Sequence, residues 1–131
     1  MSKESQNPRI LVVDDEPGWR DLLSFELASQ GYEVVTAGNA SEGIALLRSQ
    51  VFNLVITDVR MPGQMDGIDL IETYRKKNPN QKALFITGYA TEEKLSNALQ
   101  NRHSSCLKKP FDLDELSKAV SELLHDLTSA E

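Results

Sequence analysis

The sequence predicts an α/β fold: five parallel strands in a doubly wound sheet, with helices on both faces. Three observations carry this reading. Short apolar runs alternate with segments of helical periodicity from one end of the chain to the other. The runs are continuously apolar, as in strands buried on both faces, rather than alternating. Four of them end in chemically active residues, and an open parallel sheet gathers its ligands beyond the carboxyl ends of its strands.

The elements follow in order. "ILVV" (10–13) reads as the first strand, and Trp19, Leu22, Leu23 and Leu27 then mark one face of a helix closed by Gly31. "YEVVTA" (32–37) is the second strand, followed by a helix carrying Ile44 and Leu47. "LVIT" (54–57) is the third, followed by a loop and a helix around Ile68 and Ile71 that stops before Pro79. "ALFIT" (83–87) precedes a weak helix over 91–100 with Leu95 and Leu99 as its few apolar anchors. "CL" (106–107) precedes the last helix, where Leu113, Leu116, Val120, Leu123, Leu124 and Leu127 recur at helical spacing and Asp112 with Glu115 forms a capping pair. Residues 1–8 and 128–131 read as flexible polar tails around one domain spanning 9–127.

Composition narrows the function. A chain of 131 residues, 40% of them apolar, can bury one core and has no room for a second domain. The net charge of −6 argues against a nucleic-acid surface, which needs a basic excess. No run approaches a membrane span, and "MSKESQNPR" lacks the apolar core of a signal peptide. A single cysteine, Cys106, makes no internal disulfide and suits a reducing cytoplasm. "NAS" at Asn39 matches a glycosylation acceptor only by letter.

The strand ends carry the chemistry. Asp14 and Asp15 end the first strand, Asp58 the third and Thr87 the fourth, while the fifth runs into Lys108 and Lys109. Taken singly, an Asp after a strand is usually a turn residue or a cap, and a Lys there is solvated. Gathered on one rim, the carboxylates repel and call for a cation among them. Oxygen ligands without a cysteine or histidine cluster point to Mg²⁺ rather than zinc. His103 and His125 lie far from these ends in sequence and read as surface residues. A carboxylate beside Mg²⁺, with an ammonium and a hydroxyl at hand, suits an aspartyl phosphate with Asp58 as the nucleophile. Neither "GxxxxGK" nor "GxGxxG" is present to support a nucleotide site.

At these residues the chain resembles the receiver domain of two-component response regulators, over about residues 9–127. "LVVDDEP", "LVITDVRMPGQMDGIDL", "FITGYA" and "LKKPF" carry the resemblance. It implies a flavodoxin-like strand order 2-1-3-4-5 and a stand-alone, chemotaxis-regulator-like signalling module. Asp58 would accept the phosphoryl group, with Asp15 a direct Mg²⁺ ligand, Asp14 a ligand through water and the Arg60 main-chain carbonyl the third protein ligand. Thr87 would be the switch hydroxyl. Lys109, the lysine before proline, would contact the phosphate across a cis peptide bond, leaving Lys108 exposed. The phosphoryl donor would be a histidine kinase or a histidine phosphotransfer protein, with an unidentified protein downstream. The module would be a monomer or weak dimer, free of nucleic acid and membrane, and a phosphoacceptor rather than a conventional enzyme.

Three departures from the family pattern stand out. "MPGQMDG" is one residue longer than usual, Arg60 and Tyr89 occupy positions that tune phosphoryl lifetime, and Cys106 stands where the family usually has Tyr or Phe. Cys106 reads as a small buried hydrophobe, as free cysteines usually are, rather than a redox-sensing thiol, which needs exposure and a lowered pKa. Two further readings remain beside the leading one: a phosphorelay sink or a receiver cut from a hybrid histidine kinase, and a phosphatase of the haloacid-dehalogenase type. The phosphatases place a second Asp two residues after the nucleophile, where this chain has Arg60.

Overall fold

A computed structural model of the chain describes residues 7–88 and 93–125. Its strands are β1 (Arg9–Val13), β2 (Glu33–Ala37), β3 (Leu54–Asp58), β4 (Ala83–Thr87) and β5 (Ser104–Lys108). The helices between and after them are α1 (Pro17–Ser29), α2 (Ala40–Ser49), α3 (Gly67–Arg75), α4 (Glu93–Ala98) and α5 (Leu113–Leu124). All strand pairs are parallel and the order is β2-β1-β3-β4-β5. The chain therefore leaves β1 in one direction to make β2 and returns past it to make β3. That reversal opens a crevice at the carboxyl ends of β1 and β3.

The two faces of the sheet build two cores, because successive strand residues point to opposite sides. Leu11, Val13, Val55 and Phe85 pack with Ile44, Leu47, Ile68 and Ile71 under α2 and α3. Ile10, Val12, Ile56 and Ile86 pack with Leu23, Leu27, Leu116 and Val120 under α1 and α5. The three inner strands β1, β3 and β4 are buried almost throughout, which is why they read as unbroken apolar runs, whereas the edge strands β2 and β5 stay partly exposed. Each such buried Leu or Ile contributes about 1.5–3 kcal/mol of transfer free energy.

Local chemistry sets the helix ends. Pro17 opens α1, where its missing N–H costs nothing. Asn39 caps α2 by accepting from the Glu42 N–H at 2.8 Å, so the "NAS" triplet serves as a helix start. Full capping boxes open α3 (Asp66 with Asp69) and α5 (Asp112 with Glu115). Gly31 turns the chain from α1 into β2 with φ of +98°.

Several expectations change. Leu22 does not share the buried face of Leu23 and Leu27: it is 40% exposed, and Phe25 beside it on α1 is 74% exposed. Spacing alone placed Leu22 inside, but the face that meets the sheet runs through residues 23 and 27. The fifth strand is longer than "CL", because Ser104 and Ser105 join the ladder opposite Ala83 and Leu84. Leu113 sits at the exposed start of α5 rather than in the core, while Leu127 lies outside the described residues. Of the N-terminal tail, residues 1–6 lie outside the description, and Pro8 is tied to the sheet by accepting from the Glu33 N–H at 2.9 Å. The C-terminal tail, 128–131, also lies outside it. Among the described residues no helix is long and apolar enough to cross a membrane.

Candidate functional site: a carboxylate cluster with a lysine

The crevice between β1 and β3 collects the acids. One carboxylate oxygen each from Asp14, Asp15 and Asp58 lies within 4.8 Å of the others. Asp14 is only 1% exposed. Its N–H donates to the Ala37 carbonyl (3.1 Å), and its Oδ1 accepts from the Glu16 N–H (2.9 Å). Its Oδ2 is buried without a hydrogen-bond partner, aligned with neither backbone nor side chain. Burial pushes the Asp14 carboxyl up from 3.8 to about 6; the Glu16 N–H opposes the rise and the Asp58 charge adds to it. Asp15 is exposed.

Asp58 closes β3 and is 8% exposed. Its Oδ1 accepts from the Arg60 N–H at 3.3 Å, and its Oδ2 faces the Lys109 Nζ at 3.4 Å. Burial raises its pKa, and the Lys109 charge and hydrogen bond pull it back. The Lys109–Pro110 peptide is cis, and the Lys109 N–H donates to the Thr87 carbonyl at 2.8 Å, fixing the start of the β5–α5 loop against the end of β4. Thr87 itself is buried at that end, and Lys108 is exposed. An unpartnered buried carboxylate oxygen beside two more carboxylates, all oxygen donors, is a set that a hard divalent cation fits.

Three neighbours of the site were not legible as such. Gly67, the first residue of α3, donates its N–H to the Val59 carbonyl (3.0 Å) and lies so close to the Asp58 carbonyl that a β-carbon would meet it at 2.0 Å. Glycine recurs often enough near a turn that its letter gave no sign of this approach. Trp19, read from its spacing as a core residue, lies with its ring centroid 5.8 Å from the Lys109 Nζ and 5.4 Å from the Phe111 ring. Lys94 on α4 reaches both members of the α3 capping box, Asp66 at 2.9 Å and Asp69 at 2.8 Å. That pairing holds Asp69 below the usual carboxylate range and pushes the Lys94 ammonium up.

The remaining sequence candidates lie elsewhere. Cys106 sits mid-strand opposite Phe85, half-buried against the α3-side core, and burial pushes its thiol up, away from the thiolate that a redox sensor needs. Tyr89 lies outside the described residues. Arg60 is exposed and lines, with Met61 to Gln64, Asp66 and Asp69, a polar concavity of about 500 Å³ formed by the lengthened β3–α3 loop. In that loop Gly63 takes φ of +107°. His125 is exposed, whereas His103 is half-buried at the entry to β5, where its carbonyl accepts from the Ala83 N–H. His103 is thus a structural residue rather than the surface residue its sequence position suggested.

Comparison with known proteins agrees with this geometry. Transcriptional regulatory protein GlrR of Escherichia coli is 36% identical over 92% of this chain, yet the chain spans only 27% of GlrR. Sporulation initiation phosphotransferase F of Bacillus subtilis is 30% identical over 90% of this chain and 94% of its own length. A CheY-like receiver domain from Methanospirillum hungatei superposes with a TM-score of 0.86 at 32% identity, over 96% of this chain and all of that one. Response regulator TrrA of Thermotoga maritima, solved in complex with Mg²⁺-BeF, is 38% identical with a TM-score of 0.76, covering 88% of this chain and 98% of its own. The family described as the response regulator receiver domain matches residues 10–121, a span that contains every acid of the cluster together with Lys109, and the chain belongs to that family.

Proposed function

We propose that the chain is a phosphoacceptor that takes a phosphoryl group onto Asp58 and assists both the gain and the loss of that group, without being a conventional enzyme. One observation carries the reading: a nearly buried carboxylate, Asp58, lies between two further carboxylates and an ammonium 3.4 Å away. An Asp58 oxygen attacks phosphorus, forming a carboxyl O–P bond as the P–N bond to a donor imidazole breaks. The imidazole leaves with the electron pair. Lys109 meets the negative charge on the transferring oxygens, and Thr87, buried at the end of β4, offers a hydroxyl to the same group.

Asp14, Asp15 and Asp58, with the Arg60 main-chain carbonyl, would hold magnesium. The TrrA complex with Mg²⁺-BeF supports that assignment in a relative. Bound there, the ion supplies positive charge shared with the phosphoryl oxygens. The donor is a histidine kinase or a histidine phosphotransfer protein in the cytoplasm, and a protein that recognises the phosphorylated face lies downstream. The near full-length match to sporulation initiation phosphotransferase F favours, as a second reading, a relay step that passes the group onward.

The test is labelling with acetyl phosphate and Mg²⁺, read by intact-mass and peptide mass spectrometry. One base-labile phosphoryl group on Asp58 is the expected result. Full labelling of the Asp58→Asn variant would overturn the assignment. A relay role further requires that the labelled protein return the group to a histidine phosphotransfer protein.

A further inference from the structure

The Lys109 ammonium is held less tightly by Asp58 than a close ion pair would be. Its 3.4 Å separation exceeds the roughly 2.7–2.9 Å of a strong charge-assisted hydrogen bond. The Trp19 ring is a further neighbour, with its centroid 5.8 Å from Nζ, inside the range of a cation–π contact. Trp19 stands on the first turn of α1, behind Pro17 and four residues after Asp15, so the same turn that follows the acids presents the ring. The indole Nε1 is buried and has no hydrogen-bond partner. No polar anchor orients the ring. Phe111 does, packed at 5.4 Å and a 51° tilt, and Phe111 belongs to the loop that carries Lys109.

We propose that Trp19 is a positioning residue for phosphoryl transfer to Asp58: its ring steadies the Lys109 ammonium at the rim of the acid cluster. The inference rests on the phosphoacceptor reading above. A π face suits the task in a way that a carboxylate would not. It attracts the charge without occupying any of the three N–H donors, so the ammonium can turn onto an incoming phosphoryl oxygen without breaking a hydrogen bond to the ring. It also adds no negative charge to a site that already has three carboxylates.

The alternative role for Trp19 is packing alone, since it also touches the α1-side core. Three measurements separate the two. Because Trp19 is the only tryptophan, indole emission of the wild type should change when Lys109 becomes methionine (K109M). In acetyl phosphate labelling, Trp19→Leu should slow the initial rate about three- to tenfold, the span of a cation–π contact, and Trp19→Phe should recover most of that rate. In a K109M background Trp19→Leu should cost nothing further, because the ring then has no ammonium to hold. Equal emission in wild type and K109M, equal slowing by Phe and Leu, or an undiminished effect of Trp19→Leu in K109M would each overturn the proposal. Wild-type protein that takes no label on Asp58 would instead overturn the phosphoacceptor reading, and this inference with it.

Discussion

Replacing Gly67 with alanine tests how the acid site is seated. A β-carbon there would lie 2.0 Å from the Asp58 carbonyl oxygen and 2.8 Å from the Thr57 hydroxyl. Contacts of that kind do not fall below 3.0 Å, so one partner must give by about 1 Å. Asp58 cannot, since it is laddered to Ile86 within a fully buried strand. The start of α3 must therefore lift, breaking the Gly67 N–H bond to the Val59 carbonyl. Overpacking against backbone costs about 3 kcal/mol, and the better helix propensity of alanine returns at most about 1. The net loss of about 2 kcal/mol should lower the melting temperature by roughly 6–10 °C for a domain of this size. Gly18→Ala in α1 is the control, because no atom lies within 4 Å of its β-carbon position. It should match or slightly exceed the wild type. Circular dichroism melts of the three proteins decide the matter, with acetyl phosphate labelling alongside, which should slow in Gly67→Ala. A Gly67→Ala protein that melts and labels like the wild type would show that the close approach is not there.

Other outcomes follow from the same geometry. Without metal, like charges at Asp14, Asp15 and Asp58 should destabilise the fold, so Asp58→Ala should raise the melting temperature and millimolar Mg²⁺ should raise it in the wild type; a flat response in both would mean that the carboxylates do not converge. The folded-state pKa of Asp14, about 6, lies above its usual 3.8, so the folded state binds the extra proton between those values. Metal-free stability should therefore rise as pH falls from 7 to about 4, and Asp14→Asn should remove part of that rise; an unchanged pH profile in the variant would refute this. Half-buried and with its thiol pushed up, Cys106 should react with a maleimide far more slowly in the folded protein than in urea, and rapid labelling of the native state would contradict its structural role.

Much of this was readable from letters because the governing patterns are local. Unbroken runs such as "ILVV" and "ALFIT" announce strands with two dry faces, and Asp112 with Glu115 announces a cap three residues away. The acid cluster was readable too, since a parallel sheet brings all strand ends to one rim. What could not be read depends on distance through space. Asp14 and Asp15 look equivalent in sequence, yet only Asp14 is buried with an unpartnered oxygen. Lys94 meets Asp66 across 28 positions, and Trp19 meets Lys109 across 90, with no short motif to link them. Leu22 misled because helical spacing defines a stripe but not which edge of it the sheet covers.

The reversal of strand order also has a cost in chain entropy. Neighbouring strands elsewhere pair residues 21 to 28 positions apart, as in Ala83 with Ser104, Arg9 with Glu33 and Val55 with Ala83. The β1–β3 pair that flanks the crevice joins Ile10 to Leu54, 44 positions apart, because β2 and two helices intervene. Closing that longer loop costs only about 0.5 kcal/mol more than closing the β1–β2 loop, since the penalty grows with the logarithm of length. Opening a place for charged chemistry in the middle of the sheet is thus cheap for the chain. The larger burden on folding comes from the like charges gathered there, whose mutual repulsion Lys109 offsets only in part.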